Sequence, residues 1–372
     1  MMRDRIDRWI FDTFGISAHG LALYRVFYVL FVLVIISPGH KPFLYFSVYG
    51  TLPSDFYFPP PGPMMLFPDF PPFFFLKGVE LFLVIVLGCL LMGWKTRFMS
   101  IATGLLILTG NGFAYSMGKI NHDLLLAAIP IVMAFSNWGS SWSMDAVSGK
   151  TRRPEVWPVA LLALMLGFMM FTAGFPKLLG GWLDINTHAT YGHFIKQYFV
   201  NERQDLLSGL FLDIDNRVFW ESLDWATVIF EIGFLFAILR APVMRFWCAL
   251  AILFHFMVMM MLNISFISNL PVYSIFLINW DELAARLQGV GSLIEGKYRL
   301  TAPFVLCGAM LLYLYGTPLF FLDTLFRLES DLLALELLVL MAFLPLALNR
   351  IAAGTVATVN VAMSSWQKKA PE

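Results

Sequence analysis

Charged side chains are scarce in this sequence. Lysine, arginine, aspartate and glutamate together make up 13% of the 372 residues, whereas hydrophobic residues make up 59%. Soluble globular domains usually carry about 25% charged residues and about 45–50% apolar ones. This composition predicts an integral membrane protein whose partner is the lipid bilayer. The 25 basic and 25 acidic residues cancel, so no net charge attracts nucleic acid, and we expect none as a partner.

Cysteine and the common motifs of catalytic sites are also nearly lacking. The three cysteines, Cys89, Cys248 and Cys307, lie far apart inside apolar segments, which excludes a disulfide framework and a CxxC metal or redox motif. The sequence contains no glycine-rich phosphate loop and no GxSxG element. The N-terminal stretch has no apolar core followed by a small-residue cleavage site, so we expect the first apolar segment to remain as a membrane span.

Apolar segments of nearly membrane-spanning length recur along the chain. A helix that crosses about 30 Å of hydrocarbon needs about 20 mostly apolar residues. Several of the segments are short enough to be tilted or broken helices. The predicted segments are 20–37, 79–94, 98–115, 123–138, 156–176, 225–241, 246–262, 265–280, 301–321 and 332–349. The sequence therefore predicts an all-α, polytopic bundle of about 8–10 transmembrane helices.

The positions of the basic residues predict the orientation of this bundle. With the N-terminus in the cytoplasm, 16 of the 25 Lys and Arg residues fall on the inner side, 8 fall outside, and Arg25 lies within a span. Because inner loops of membrane proteins are enriched in Lys and Arg, this distribution favours cytoplasmic N- and C-termini. Two long segments, about 38–78 and 177–224, are then predicted on the outer face, where long structured loops often carry function.

The first outer segment contains the stretch LPSDFYFPPPGPMMLFPDFPPFFF, residues 52–75. Its prolines are too densely spaced for an uninterrupted helix, so we expect it to be non-helical. Its aromatic residues and methionines are typical either of a loop packed over a cavity or at the interface, or of an aromatic belt at the level of the headgroups. The sequence leaves both interpretations open.

Few ionisable residues lie inside the predicted spans, and each is a candidate functional residue because burying charge in lipid is costly. Arg25, Glu231 and His255 belong to this group, and Asn121 and His122 stand at the start of another span. A buried ion pair between Arg25 and Glu231 is the structural interpretation of these two charges.

Lys177 and His122 are both predicted at the outer ends of their helices. If they line one cavity, an apolar surrounding favours the neutral lysine amine, which is a competent general base. The simpler interpretation of Lys177 is an anchor whose ammonium group reaches the membrane interface. For His122, the simpler interpretation is a hydrogen-bonded histidine at a helix end.

Asp184, His188 and His193 come closest to a metal-site pattern. Asp184 and His188 would share one face of a helix, but their spacing matches no established ligand motif such as HExxH. We therefore expect no metal ion as a cofactor.

Six short motifs occur in an order that resembles a known family. They are LALYR with its arginine, LLMGWKTR, NHDLLLAAIPI followed by SNWGSSWSMDA, FTAGFPKLLGGWLD, FEIGFLFAIL and LFHFMVMMMLNISFISN. In these motifs the chain resembles the horizontally transferred transmembrane (HTTM) domain proteins, bacterial relatives of the transmembrane part of vitamin K-dependent γ-glutamyl carboxylase. The resemblance covers roughly residues 15–285. It implies a single domain over residues 1–372, with extra C-terminal helices within 301–350 and no large extramembrane C-terminal domain.

The resemblance also assigns residues to a function. Lys177 matches the lysine that deprotonates vitamin K hydroquinone in the carboxylase. Asn121, His122, His255 and Trp182 are assigned to cofactor binding by the motifs in which they lie. The cofactor implied by the resemblance is reduced vitamin K or another quinol.

In that family, dioxygen adds to the deprotonated quinol, and the resulting base removes a proton from glutamate, whose carbanion captures carbon dioxide. The resemblance thus implies a carboxylase-like or epoxidase-like enzyme with O2 and CO2 as co-substrates, acting at the outer face of a bacterial inner membrane. From this sequence we expect no counterpart of the portion with which the carboxylase grips its protein substrate, so the substrate is unknown. Pro176 also precedes the lysine where animal enzymes carry a basic residue.

A second hypothesis comes from another class of protein. It is a non-catalytic membrane protein that binds a quinone or a lipid, with Lys177 as an anchor. The small number of intramembrane charges and the lack of visible inverted repeats argue against a transporter.

Overall fold

The structure is a computed structural model that describes residues 2–36, 46–60, 62–116, 123–150, 152–289, 304–311 and 331–367. Within these ranges the regular secondary structure is helical, and no β-strand occurs among the described residues. The predicted all-α fold class is therefore confirmed.

The helices of the described ranges are numbered here in chain order. They are α1 Met2–Phe11, α2 Ala18–Leu30, α3 Phe73–Met92, α4 Thr96–Ala114, α5 Asp123–Met133, α6 Met144–Val147, α7 Trp157–Leu179, α8 Ala189–Ile195, α9 Ser208–Leu212, α10 Arg217–Ala237, α11 Ala241–Leu262, α12 Leu270–Leu277, α13 Trp280–Arg286, α14 304–311 and α15 Asp331–Gln367. A π-helical turn, Phe31–Ile36, continues α2, and another, Lys196–Val200, continues α8.

Four helical segments within the described residues are long and apolar enough to cross a membrane. They are Phe73–Met92, Trp157–Leu179, Ala241–Leu262 and Leu333–Val356. The first three correspond to α3, α7 and α11, and the last lies within α15. A bundle of 8–10 spans and its orientation stay predictions.

Two helices begin earlier than predicted. Helix α3 begins at Phe73 rather than at 79, and α10 begins at Arg217 rather than at 225. The predictions followed apolar runs, whereas both helices carry charged residues near their start. Pro72 occupies the N-cap position of α3, where a missing N–H costs no helical hydrogen bond. Asn216 caps α10 by accepting the N–H of Phe219 at 3.2 Å.

The last two predicted spans are only partly covered by the described residues. Within 301–321, residues 304–311 are helical and the others lie outside the described ranges. Helix α15 extends well beyond the predicted limits 332–349, and it contains Pro345.

The proline-rich stretch 52–75 forms short 3₁₀ turns, Ser54–Phe56 and Pro63–Leu66, and its last three residues belong to α3. The prediction that it is non-helical was wrong for those three residues. The aromatic rings of the stretch pack on Phe113 of α4, whose side chain is fully buried.

The chain divides into two compact units. The first comprises Met1–Leu162 and Ile278–Phe321, and the second comprises Ala163–Leu277 and Leu322–Glu372. In the first unit, α4 packs against α3 and α5, and α2 packs against α3 and α13. Its core contains Tyr24, Tyr28 and Trp138, which are fully buried, and the rings of both tyrosines contact the Trp138 ring.

In the second unit, α11 packs against α10, α12 and α15, and α10 packs against α8. The predicted outer segment 177–224 is not an open loop, because it contains α8, α9 and the first turns of α10. Asp224 of α10 is fully buried, and its carboxylate accepts the N–H groups of Ala189 and Thr190 at 3.1 and 2.7 Å. These bonds fix the start of α8 against α10, since the first N–H groups of a helix have no partner within it.

Candidate functional site

Two glycines allow α7 and α10 to approach each other closely. A methyl group added to Gly167 would lie 2.6 Å from Cγ2 of Ile238, and one added to Gly174 would lie 2.8 Å from Cβ of Glu231. The contacts advance along α7 while they run backwards along α10, so the two helices are antiparallel. Small residues at a helix interface are the usual means of close packing between membrane helices. The position of Gly174 brings the Glu231 side chain to the C-terminal end of α7.

The sequence PKLLGGW, residues 176–182, ends α7 at a defined point. The helix continues through Pro176 to Leu179, whereas the sequence placed its end at 176. The N–H of Gly180 bonds to the carbonyl of Pro176 at 2.8 Å, and the N–H of Trp182 bonds to that of Lys177 at 3.2 Å. Gly181 has a φ of 81°, which glycine adopts without steric cost. This is a Schellman-type helix end, and it folds the chain back over the last turn.

Lys177 forms an ion pair with Glu231. Its Nζ donates a short hydrogen bond to Oε1 of Glu231. The Lys177 side chain is 26% exposed and that of Glu231 is 8% exposed, so the amine is reachable from solvent while the carboxylate is enclosed. The ion pair proposed from the sequence between Arg25 and Glu231 was wrong, because the salt-bridge partner of Glu231 is Lys177.

Trp182 completes this arrangement. Nζ of Lys177 lies 5.1 Å from the centroid of the Trp182 ring, which is a cation–π contact. The helix end just described produces this contact, because it returns Trp182 to the level of Lys177. Trp182 was assigned to the site from its motif, and it does lie beside the lysine.

A second polar cluster lies on α11 and α12. His255 of α11 is 5% exposed, and its Nε2 lies 2.8 Å from the Tyr273 hydroxyl of α12. The imidazole also stacks on the Phe266 ring, with centroids 4.4 Å apart. Tyr273 was missed from the sequence, since a tyrosine in an apolar helix is most often a packing residue.

Glu336 of α15 is a second residue that the sequence reasoning missed. It is fully buried and accepts the N–H of Phe266 at 2.7 Å. The signal was available, because a lone glutamate in the apolar stretch LALELLVL is costly unless it is satisfied. Its bond to Phe266 supports the segment on which His255 stacks.

Arg25 is held in the first unit by hydrogen bonds to the backbone. It is fully buried, and its guanidinium donates to the carbonyls of Trp138 and Trp142 at 3.1 and 2.5 Å. Gly93 makes room for it, since a methyl group there would lie 2.7 Å from a guanidinium nitrogen. The sequence signal of an arginine inside a span is thus accounted for by hydrogen bonding to the backbone.

Asn121 and His122 lie outside the described residues, so their assignment to the cofactor stays a prediction. The Asp184 side chain bonds to Asn186, and Nδ1 of His188 lies 3.7 Å from Glu221. His193 contacts Gln197 at 3.3 Å. Among the described residues, no group of three or more His, Cys, Asp or Glu side chains is placed to hold a metal ion.

Comparison with known proteins finds no family model, no curated protein and no solved structure that matches this chain. The candidate site therefore rests on its own geometry and on the motifs quoted above.

Replacing Gly174 with alanine is expected to separate α7 from α10 and to weaken the pair between Lys177 and Glu231. Because the added methyl lies only 2.8 Å from Cβ of Glu231, we expect a loss of about 1–3 kcal/mol in the free energy of unfolding. The matched control is Gly78→Ala in α3, where a methyl meets nothing within 4 Å. The free energy of unfolding of both variants is measured in detergent micelles. An equal loss in both would contradict the close packing of α7 against α10.

Proposed function

We propose that this chain is a polytopic membrane protein that binds a reduced quinone at the end of α7, with Lys177 as the base. The observation that carries the proposal is the ion pair between Lys177 and Glu231, one partner reachable and the other enclosed. An acid–base pair of this kind, next to an aromatic face, suits a small aromatic molecule with an acidic hydroxyl.

The side chains at this place fit such a molecule. Oε2 of Glu231 is buried and has no hydrogen-bond partner among the described residues, so it is available as an acceptor for a hydroxyl group. The ring of Trp182 offers an apolar plane beside the amine. His255 and Tyr273 form a second polar contact region on α11 and α12. Asn121 and His122 belong to the proposal by resemblance alone.

A reduced quinone supplies an acidic hydroxyl and two reducing equivalents. The protein must supply a neutral amine, and the carboxylate of Glu231 is placed to accept the proton of the Lys177 ammonium group. Transfer of a proton from Nζ of Lys177 to Oε1 of Glu231 converts the ion pair into an amine and a carboxylic acid. Exclusion of water by the bound quinol would favour the uncharged pair. The amine can then accept a proton from the bound hydroxyl, and the ammonium so formed is stabilised by the face of Trp182. O2 as oxidant, and CO2 for a coupled carboxylation, are part of the proposal.

A specific observation also favours a non-catalytic function. The Lys177 ammonium is already satisfied by Glu231 and by Trp182, which suits an anchor or a binding group as well as a base. In that case a quinone or lipid would bind and raise the thermal stability of the protein without being consumed.

The test measures consumption of a reduced naphthoquinone by protein reconstituted into liposomes, under air and corrected for empty liposomes. The test variant is Lys177→Ala combined with Glu231→Gln, because the second change removes the carboxylate that would otherwise be left unpaired. Loss of the base is expected to reduce turnover about 100-fold.

The matched control is Lys77→Ala with Glu80→Gln, which removes another pair of a lysine with a buried glutamate, 2.8 Å apart, from the first unit. It should keep wild-type turnover. Wild-type turnover in the Lys177 and Glu231 variant, or no turnover above the liposome background in the wild type, would rule out the catalytic proposal. Stabilisation by the naphthoquinone without turnover would then support the binding function.

A further inference from the structure

A polar cavity lies in the first unit, separate from the residues of the proposed quinol site. Its volume is about 210 Å³, and its lining includes Arg97, Lys150, Arg152, Asn137 and Asp145. These residues come from the start of α4, from the loop that follows α5, from α6, and from the segment between α6 and α7. The sequence pattern predicts that these short basic loops face the cytoplasm.

The loop that forms one wall of the cavity, residues 134–143, is held firmly. Trp138 is fully buried, and its Nε1 donates to Oγ of Ser100 at 2.9 Å. Arg25 binds the carbonyls of Trp138 and Trp142 from inside the unit. A methyl group at Gly139 would lie 2.3 Å from Oγ1 of Thr96, so the loop rests directly on the start of α4. The cavity therefore has a preformed wall.

The Asp145 carboxylate, which lines the cavity, is already hydrogen-bonded within the protein. The Asp145 carboxylate accepts the N–H groups of Lys95 and Thr96 at 3.0 and 2.7 Å, and it accepts the Thr96 hydroxyl at 2.7 Å. It thereby caps α4 by accepting the N–H groups of its N-cap residue and of its first residue.

The positive charges, by contrast, have no acidic partner. Arg97, Lys150 and Arg152 are exposed, and none of them forms a salt bridge with a described residue. Lys95, at the neighbouring surface depression, is also exposed and contacts the Trp94 ring with its amine. Two guanidinium groups and one amine around the cavity, with a second amine at the neighbouring depression, match the charge and the hydrogen-bonding oxygens of a phosphate group.

Exposed apolar side chains lie beside these charges. Phe98, next to Arg97 on α4, is 65% exposed, and Val147 of α6 is 57% exposed. Trp94 is 39% exposed, and tryptophan is enriched where membrane proteins meet the headgroups. Cationic groups next to exposed apolar ones suit a molecule that carries a phosphate and acyl chains, rather than a free anion.

We propose that this cavity binds the phosphate group of an anionic phospholipid headgroup. Arg97 and Arg152 provide the guanidinium groups that bind the phosphate oxygens, and Lys150 adds a further positive charge. The amide of Asn137 is oriented by donating to the carbonyl of Arg153 at 2.7 Å. The proposal is independent of the quinol site, because it uses none of the residues assigned to that site.

The experiment uses the full-length protein, purified in a neutral detergent. A short-chain phosphatidylglycerol, a short-chain phosphatidylcholine, glycerol 3-phosphate and inorganic phosphate are added separately. Native mass spectrometry counts the bound molecules, and a thermal shift gives the apparent affinity. We expect one phosphatidylglycerol to bind in preference to phosphatidylcholine. The variant Arg97→Gln, Lys150→Gln, Arg152→Gln should bind it at least about tenfold more weakly, since each basic group near an anionic headgroup contributes substantially.

The matched control, Arg3→Gln, Arg5→Gln, Arg240→Gln, also removes three exposed positive charges that the sequence pattern assigns to the cytoplasmic side. It should keep wild-type affinity. Equal loss in both triple variants would show a general charge effect and would overturn the proposal. Unchanged binding in the cavity variant would overturn it as well. Binding of inorganic phosphate or glycerol 3-phosphate as tight as that of the lipid would assign the cavity to a free phosphate and overturn the lipid as its ligand.

Discussion

Replacing Lys177 with methionine is expected to lower the free energy of unfolding by about 3 kcal/mol, because it leaves the Glu231 carboxylate enclosed without its cation. The Glu231 side chain is only 8% exposed, and its Oε2 already has no hydrogen-bond partner among the described residues. Methionine keeps much of the length and apolar surface of the lysine stem, so the loss reports on charge rather than on packing. Unfolding in detergent, followed by tryptophan fluorescence, measures the change.

The double variant Lys177→Met with Glu231→Leu serves as the control for this result. When both charges are replaced by apolar groups of similar size, stability should return to near the wild-type value, since a buried ion pair contributes little net free energy. A single variant as stable as the wild type would mean that water reaches Glu231 and that the site is not enclosed. That outcome would count against a neutral amine at Lys177 as well, because an open site has no means of favouring the uncharged pair.

Replacing Arg25 with methionine is expected to cost about 3 kcal/mol or more, since two buried backbone carbonyls lose a charged donor. These carbonyls belong to Trp138 and Trp142, which lie in the loop that forms one wall of the polar cavity of the first unit. The loss should therefore loosen that loop. Hydrogen exchange should show faster exchange there than in the wild type.

The matched control is Arg152→Met, at an exposed position that forms no salt bridge with a described residue. Surface substitutions of this kind usually change stability by less than about 0.5 kcal/mol. An effect of Arg25→Met that is no larger than that of Arg152→Met would contradict the structural function assigned to Arg25. Hydrogen exchange in the loop of Trp138 and Trp142 that is as slow as in the wild type would contradict it too.

These two arginine and lysine sites show why an ionisable residue in a membrane helix has to be interpreted with its partners. Arg25 and Lys177 are both cations near helical segments of apolar character, yet one donates to backbone carbonyls and the other to a carboxylate. Carbonyls offer no group that can exchange a proton with the cation, whereas a carboxylate does. For that reason only Lys177 is a candidate base.

Several helices were readable from the sequence because their apolar runs are long. The predicted spans 156–176 and 246–262 agree with α7 and α11 to within a few residues. Helix α10 was predicted too short, because its first turns carry the polar side chains that hold α8. The outer segment 177–224 was expected to be a long loop for the same reason. A polar turn is not distinguishable from a loop until its packing partner is known.

Glu231 and His255 were identified from the sequence because charge and imidazole are costly in an apolar helix. Lys177 was identified by its position at a helix end and by the family resemblance. The partners of these three residues were not identified. The ion pair was assigned to Arg25 and Glu231, and Tyr273 was overlooked as the partner of His255. Partners depend on which helices pack together and in which direction, and residues 54 positions apart in the chain carry no local signal of their contact.

The amino-acid sequence by itself determined that the chain is helical and apolar enough for a membrane, and where its few internal charges lie. These features follow from composition and from the length of apolar runs, which depend on the residues of each segment and not on their contacts in the folded chain. Only the tertiary structure decided that Lys177 meets Glu231 and Trp182. That choice depends on Gly174, which lets α10 approach, and on the turn at Gly181, which returns Trp182 to the lysine. Close packing of two helices and reversal of the chain at a helix end are spatial events, so their consequences appear only when the chain is folded.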